Sequence, residues 1–273
     1  MLIDDQWRKC ATFLLVEGRD PETGVLGKHL FGSGFFVTVW GDDKSSAAIY
    51  LVTAQHLLDK SEDDGPLFVR MNSGGGQVDF EAPQAKWTRH PSTDVAAIRV
   101  PIPPDPGFKS IDFSGLLSDQ LVVDHKVGVG DEVFFAGLFS EHPGRQRVQP
   151  IIRFGNISMM PVDPIKTPDL RVASEIDAYL VEARSWGGHS GSPAFIYYPS
   201  DRSGNSITVN KELPVYLLGL VHGHYEIASD VAYKGDILGS GKVPINAGMA
   251  AVVPSQKIID VLMDDELVQD RRN

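Results

Sequence analysis

The chain has 273 residues, of which 42% are hydrophobic and 22% charged, enough to bury a sizeable core without disulfides or metals. Its net charge of −11 lacks the basic footprint of a nucleic-acid binder and argues against an anionic membrane surface. A single cysteine, Cys10, rules out an intramolecular disulfide and reads as a buried apolar residue at the start of a strand.

Strand-like runs dominate in chain order: 11–16, 34–39, 47–52, 67–71, 95–100, 132–136, 178–182, 193–198, 215–221 and 248–253. Most are rich in Val, Ile, Phe and Tyr and bounded by Gly, Pro, Asp or Ser. The 27 glycines and 18 prolines suit short strands joined by turns, so the class is all-β, a barrel or a sandwich. A single helical turn is expected near Ala54, carrying His56. A C-terminal helix follows Pro254, with Ser255 as N-cap and an apolar stripe of Ile258, Ile259 and Leu262. Residues 270–273 read as frayed. Four prolines within 101–106 mark a linker, so the chain divides into 1–108 and 109–273. The runs at 73–76 and 200–206 read as exposed turns or loops. The first ten residues hold no basic segment followed by an apolar run, and no run of 18 apolar residues exists. The expected location is therefore the cytoplasm, with no membrane partner.

Three segments carry chemistry. In Gly188-His189-Ser190-Gly191-Ser192-Pro193 small residues surround one serine, and an apolar strand follows. Glycines before the serine let the backbone turn tightly and aim N–H groups at one point, which an oxyanion requires. His56 lies where a strand runs into a helical turn, a position that suits a general base. Asp94 opens a strand of small and branched residues, as a carboxylate that orients an imidazole could do. Each segment also has a plain structural reading: a turn, a packed histidine, a strand cap. Their order, His then Asp then Ser, is one of the convergent orders of nucleophilic triads.

These segments resemble the trypsin-like (chymotrypsin-fold) serine proteases. Thr53-Ala54-Gln55-His56 is similar to the family's T-A-x-H. Asp94-Val95-Ala96-Ala97-Ile98 is similar to its D-[IVL]-A-[LV]-[IVL], and residues 188–193 to its G-x-S-G-[GS]-P. Phe31-Gly32-Ser33-Gly34-Phe35 resembles the strand before the histidine, and Leu218-Gly219-Leu220-Val221-His222 the strand that lines the primary specificity pocket. Ala250-Ala251-Val252-Val253-Pro254 and the helix after it resemble the end of the high-temperature-requirement proteases. The resemblance implies two six-stranded antiparallel β-barrels with a C-terminal α-helix, the first carrying His56 and Asp94, the second Ser190. It implies a serine endopeptidase acting on a protein or peptide substrate through an acyl-enzyme, without cofactor or metal. His56 would be the base, Asp94 its orienting partner and Ser190 the nucleophile, with an oxyanion hole from the N–H groups of Gly188 and Ser190.

Two departures qualify the resemblance. His189 stands where digestive members carry the aspartate that binds a new N-terminus, and no Ile-Val-Gly-Gly start exists. Control is therefore expected from a regulatory protein partner, from substrate presentation or from the Gly187–Gly188 loop. Arg184 stands where trypsin has an aspartate. With Ser185 and His222 it gives a second resemblance, to glutamyl endopeptidases, and a pocket for an acidic or a small uncharged residue. His222 lies one position later after Gly219 than that family's pattern places it. A metal site built from His222, His224 and His189 lacks any supporting motif. A silent binding module of the same fold and a non-peptide esterase are the alternatives to the peptidase.

Overall fold

The computed structural model describes residues 3–19, 24–41, 46–103, 105–167, 175–183, 189–197, 215–232 and 240–272. The N-terminal unit contains α1 (Asp5–Lys9), β1 (Ala11–Arg19), β2 (Leu26–Trp40), β3 (Ala47–Thr53), α2 (Gln55–Asp64), β4 (Leu67–Ser73), β5 (Gly76–Glu81), β6 (Thr88–Arg89), β7 (Ala96–Arg99) and β8 (Ile111–Asp112). The C-terminal unit contains α3 (Asp119–Asp124), β9 (Glu132–Gly137), β10 (Ile151–Met159), β11 (Ile165–Lys166), β12 (Glu175–Ile176), β13 (Tyr179–Glu182), β14 (Pro193–Tyr197), β15 (Val215–Ala232), β16 (Ser240–Pro254), α4 (Ser255–Leu262) and α5 (Asp265–Arg272).

The chain is all-β, with a closed barrel of six strands, β10-β13-β16-β15-β14-β9, and helices at its C-terminus. The N-terminal unit is an eight-stranded sheet in the order β5-β4-β1-β2-β3-β7-β6, with β8 pairing in parallel with β2. That sheet takes in Ile111 and Asp112, beyond residue 108. Every strand read from the sequence has a counterpart. Six further ones appear: β5, β6 and β8 complete the sheet, β10 completes the barrel, and β11 and β12 pair with each other.

Strand alternation explains how the two units meet. On β9, Phe135 points into the barrel, among Val133, Ile157, Val181 and Leu218. Its neighbour Phe134 points outward into the other hydrophobic cluster and stacks on Phe195 at 4.9 Å between ring centroids. Trp7 of α1 meets the same Phe195 edge-on at 5.2 Å, so the N-terminal helix packs on the outside of the closed barrel. Such ring pairs add about 0.5–1.5 kcal/mol each beyond their buried area. Cys10 is buried, as expected, and burial pushes its thiol well above the ordinary range.

The helices differ in detail from expectation. α2 runs for ten residues rather than one turn. Ser255 is the first residue of α4, with Pro254 at the cap position and the serine hydroxyl buried without a partner among the described residues. Residues 270–272 are helical rather than frayed. Arg271 donates to the Tyr50 hydroxyl (3.1 Å) and the Leu262 carbonyl (2.8 Å), which ties α5 back onto the N-terminal sheet. The run at 73–76 is the β4–β5 turn, where Gly74 and Gly75 take positive φ of 55° and 90° that favour glycine. The run at 200–206 lies outside the described residues.

Candidate active site

Strand pairing brings His56 and Asp94 together. β3 and β7 are antiparallel, with Thr53 opposite Ala96. The chain leaves β3 at Thr53 and reaches His56 three residues later. It enters β7 at Ala96, two residues after Asp94. The two side chains therefore emerge from the same end of one strand pair. Ala97, with its small side chain, is fully buried opposite Val52.

Helix capping fixes the pair further. The cap residue of α2 is Ala54, whose side chain offers no acceptor to the free N–H groups of the first turn. Asp94 supplies one instead. Its Oδ1 accepts the His56 backbone N–H at 2.8 Å, and its Oδ2 accepts from His56 Nδ1 at 2.8 Å. A carboxylate at a helix N-terminus is also favoured by the helix dipole. Asp94 is fully buried and His56 is 3% exposed. Burial alone would raise the Asp94 carboxyl, but hydrogen bonds from His222 and His56 outweigh it and hold the group well below the usual carboxylate range.

The ring of His222 turns to Asp94, and its Nδ1 bonds to the same Oδ2 that His56 uses. The two imidazoles meet edge-on with centroids 5.2 Å apart. His222 falls where the β15–β16 register breaks, between Val221 opposite Val252 and Gly223 opposite Ala251, and such a bulge re-aims a side chain. Arg184, Ser185 and Gly188 lie outside the described residues, as does the Gly187–Gly188 loop.

Ser190 lies in the turn that leads into β14 and is partly exposed. Its hydroxyl donates to the His222 backbone carbonyl at 2.9 Å, not to His56. A seam with the N-terminal unit holds the turn in place. Ser33 donates its backbone N–H to the Ser190 carbonyl (3.0 Å), and its hydroxyl accepts from the Leu138 N–H (2.9 Å). Thr53 Oγ1 donates to the Ser33 carbonyl at 2.7 Å. Gly191 has φ of +83°, and a Cβ there would lie 2.0 Å from the Ser33 carbonyl oxygen, so only glycine fits. Sequence reasoning placed Ser33 in a strand motif but gave it no task. Its signal was a small polar residue between two glycines in an otherwise apolar run.

His189 is buried next to Ser190. Its Nε2 accepts from Arg153 Nε at 3.1 Å. Desolvation first, then the charges of Arg153 and His224, push its imidazole down to about 4, so it is neutral at pH 7. Arg153 also lines a cavity of about 690 Å³ with Glu132, Asn156, Glu182, Ala183 and Gly248. Nothing in the sequence marks Arg153, because its strand alternates only weakly between buried and exposed residues.

The nitrogen and oxygen atoms of His56, Asp94 and His222 lie within 4.8 Å of one another. Ligands on a tetrahedral zinc sit about 3.3 Å apart, given bonds of about 2.0–2.1 Å. The N···O separation of 2.8 Å between His56 and Asp94, with the still closer His222 contact, is that of hydrogen bonds. The cluster is therefore a hydrogen-bonded carboxylate with two imidazole donors. Among the described residues, no helix is long and apolar enough to cross a membrane.

No protein-family model matches the chain, and no curated protein matches it. Among solved structures, it is similar to an inactive form of the Rv3671c protease, with 18% identity and a TM-score of 0.48 over 93% of this chain and 88% of that one. It is similarly related to the Ser343Ala mutant of Rv3671c from M. tuberculosis H37Rv, also an inactive form. There the identity is 17% and the TM-score 0.46, over 93% of this chain and 86% of that one.

Proposed function

We propose that the protein is a serine endopeptidase in which Ser190 is the nucleophile, His56 the general base and Asp94 its orienting partner. The observation that carries this reading is the two-point grip of Asp94 on His56, through the backbone N–H and Nδ1 at 2.8 Å each. With Nδ1 protonated and bonded to a carboxylate, Nε2 carries the lone pair that accepts a proton. In this reading the Ser190 hydroxyl leaves the His222 carbonyl, on which it rests at 2.9 Å, to donate to His56 Nε2. Its oxygen then attacks the scissile carbonyl while His56 Nε2 takes the proton. The imidazolium so formed is stabilised by Asp94 and hands the proton to the leaving amine. Water, activated by His56, releases the acyl group from Ser190. The N–H groups of Gly188 and Ser190 would hold the oxyanion. The Ser190 N–H takes no acceptor among the described residues, which supports that role.

The residue favoured before the cut is acidic or small and uncharged. Arg153, in the wall of the cavity beside His189, supports this preference. A peptide-library profile showing strong preference for Lys or Arg overturns it. The site lies in the cytoplasm in this reading, and the substrate is a protein or peptide.

The test of the peptidase reading is a fluorophosphonate probe on the full chain. Labelling at Ser190 that disappears in Ser190→Ala and falls steeply in His56→Ala supports it. A Ser190 that stays unlabelled, alone and with cell extract added, overturns it. One observation favours a second reading, a module switched on by a partner: the resting hydroxyl is bonded to His222 rather than to the base. Labelling that requires extract selects this second reading.

A further inference from the structure

We propose that Arg153 is a positioning residue of the nucleophile turn: from β10 it holds the ring of His189, the residue before Ser190, in one tautomer and one place, and the turn keeps its shape through that ring. The inference rests on the peptidase reading only where labelling of Ser190 is the measurement.

By pattern alone an arginine is out of place here. Side chains alternate along β10, so residue 153 shares a face with Ile157, which lies in the core of the closed barrel. Across the ladder it stands opposite Phe135, which points into the same core. A cation on that face loses hydration, and burial pushes the Arg153 guanidinium below its ordinary range. Such a group needs a directed bond to offset that loss. Its Nε donates to His189 Nε2 at 3.1 Å.

That bond fixes the state of the ring. Arginine only donates, so Nε2 of His189 is the bare nitrogen, and the neutral ring carries its proton on Nδ1. Nδ1 faces the end of β9, where a Cβ on Gly137 would lie 2.8 Å from it and still closer to Ser192 Oγ. The ring therefore fills space that only a glycine leaves. The Ser192 hydroxyl on that side is fully buried and has no partner among the described residues.

From Ser190 onward the turn is gripped by its main chain. Ser33 N–H donates to the Ser190 carbonyl (3.0 Å), Gly191 N–H to the Val221 carbonyl (2.8 Å) and Ser192 N–H to the His189 carbonyl (2.9 Å). At its entry the anchor is a side chain, His189, set between Arg153 and Gly137. Without the donor that ring is free to turn, and with it the residue whose carbonyl receives Ser192 and whose neighbour is Ser190.

The charges around the ring have the sign that this requires. Arg153 faces it from β10 and His224 from β15. Desolvation first, then these two, keeps it a neutral acceptor at pH 7. Glu132 of β9 and Glu182 of β13 share the cavity wall with Arg153, and Gly137 and Ser192 bring no charge.

The test compares Arg153→Gln with Arg153→Met in the full chain. Glutamine puts an amide N–H at the side-chain position of Nε; methionine puts a methyl group there. Three quantities are measured: ¹⁵N shifts of the His189 ring, amide hydrogen exchange at Ser192, and the rate at which a fluorophosphonate labels Ser190. The probe carries no acidic side chain, so its rate does not report the preference assigned to the cavity. Wild-type His189 should carry its proton on Nδ1 at pH 7. Arg153→Gln should keep that tautomer, with exchange and labelling within about twofold of wild type. Arg153→Met should lose the tautomer preference, speed exchange at Ser192 and slow labelling, each by about fivefold to tenfold, as loss of one directed hydrogen bond requires. In both variants, loss of the cation should lift the His189 midpoint from about 4 by roughly half a pH unit. A wild-type ring protonated on Nε2 overturns the inference, as does an Arg153→Met protein that exchanges and labels like wild type. If Arg153→Met does not fold, His189→Leu removes the acceptor instead and is held to the same exchange and labelling expectations. Ring shifts and exchange need no turnover, so if they change as expected while Ser190 is never labelled, the inference stands and the peptidase reading falls. Wild-type labelling with no difference between the two variants does the reverse.

Discussion

The two units contribute to the site in different ways. The N-terminal sheet supplies the proposed base, His56, and its carboxylate, Asp94, already bonded to each other, buried, and locked by a strand pair and a helix end. The C-terminal barrel supplies the proposed nucleophile, Ser190, on a partly exposed turn, with its hydroxyl bonded to a main-chain carbonyl of its own unit. In the proposed reading, the half that holds the proton is fixed by three bonds to one buried carboxylate. The half that meets a substrate is held by its backbone through Ser33, while its hydroxyl rests on the His222 carbonyl. A switch acting on this protein therefore has more to gain at the turn than at the His–Asp pair.

Removing the carboxylate gives the largest expected effect. Asp94→Asn turns an amide donor toward an imidazole proton and forces His56 into the wrong tautomer, so kcat/KM should fall by about 10⁴-fold. The stability effect has a definite sign. Because the folded Asp94 carboxyl lies below its unfolded value of about 3.9, its contribution is complete above that pH and is lost as pH falls through the lower folded value. Unfolding curves should show the wild-type advantage over Asp94→Asn constant from pH 5 to 8 and shrinking below about pH 4. An advantage that instead shrinks near neutrality would mean that the pair is not preformed.

Gly191→Ala attacks the turn. A methyl group at φ +83° would meet the Ser33 carbonyl oxygen at 2.0 Å and Thr53 Oγ1 at 2.5 Å, and neither can retreat without breaking the seam. A loss of about 3–4 kcal/mol is expected from strain plus lost hydrogen bonds, with labelling of Ser190 reduced in the protein that remains folded. Thermal melts beside probe labelling separate the two effects. A variant as stable as wild type would show that the turn is not clamped.

Much of this was legible in the sequence because it depends on local pattern. His56 and Asp94 lie in short motifs at the ends of strands that pair with each other, and the apolar runs of β3 and β7 announce that pairing. β10 was not legible because its residues alternate only weakly between buried and exposed, as a strand at the rim of a cavity does. β5 was missed because it is mostly polar and carries little buried surface. The ring of His222 could not be placed because a register break in β15 falls at that residue, and nothing in the composition marks a bulge there. Residues 270–273 read as frayed because they are polar, and within α5 only Leu267 is buried. Its order comes from polar contacts made at long range, Arg271 to Tyr50 and Arg99 to Asp270.

His189 tests the turn more gently. Its imidazole is held down to about 4 against an ordinary 6.5, so the folded protein resists a proton that the unfolded chain accepts. The resulting contribution is complete above about pH 6.5 and is lost progressively as pH falls toward 4, by about 3 kcal/mol at the acid end. His189→Gln keeps an acceptor for Arg153 Nε but takes no proton. It should flatten the stability curve between pH 6.5 and 4, as measured by denaturant unfolding. A curve that still falls in step with wild type would place that acid sensitivity elsewhere in the molecule.

The smallest effect is expected where the C-terminal helix returns to the first unit. Arg99 Nη1 bonds to Asp270 Oδ2 at 2.8 Å and to its carbonyl at 3.1 Å, but both side chains are about half exposed. Water screens such a pair, and two long side chains lose rotamer freedom to make it, so Arg99→Ala should cost less than about 0.5 kcal/mol. Arg271 differs: it donates to the Tyr50 hydroxyl, whose ring is buried in the N-terminal sheet, and to the Leu262 carbonyl at the end of α4. Arg271→Ala leaves both of these without their donor and should cost about 1 kcal/mol. Neither change should alter Ser190 labelling, since both sites belong to the tether between units and not to the seam at Ser33. Should Arg99→Ala reduce labelling while leaving the melting curve in place, the tether would have to set the approach of the two half-sites, and the hold assigned to the N-terminal half would extend through α5.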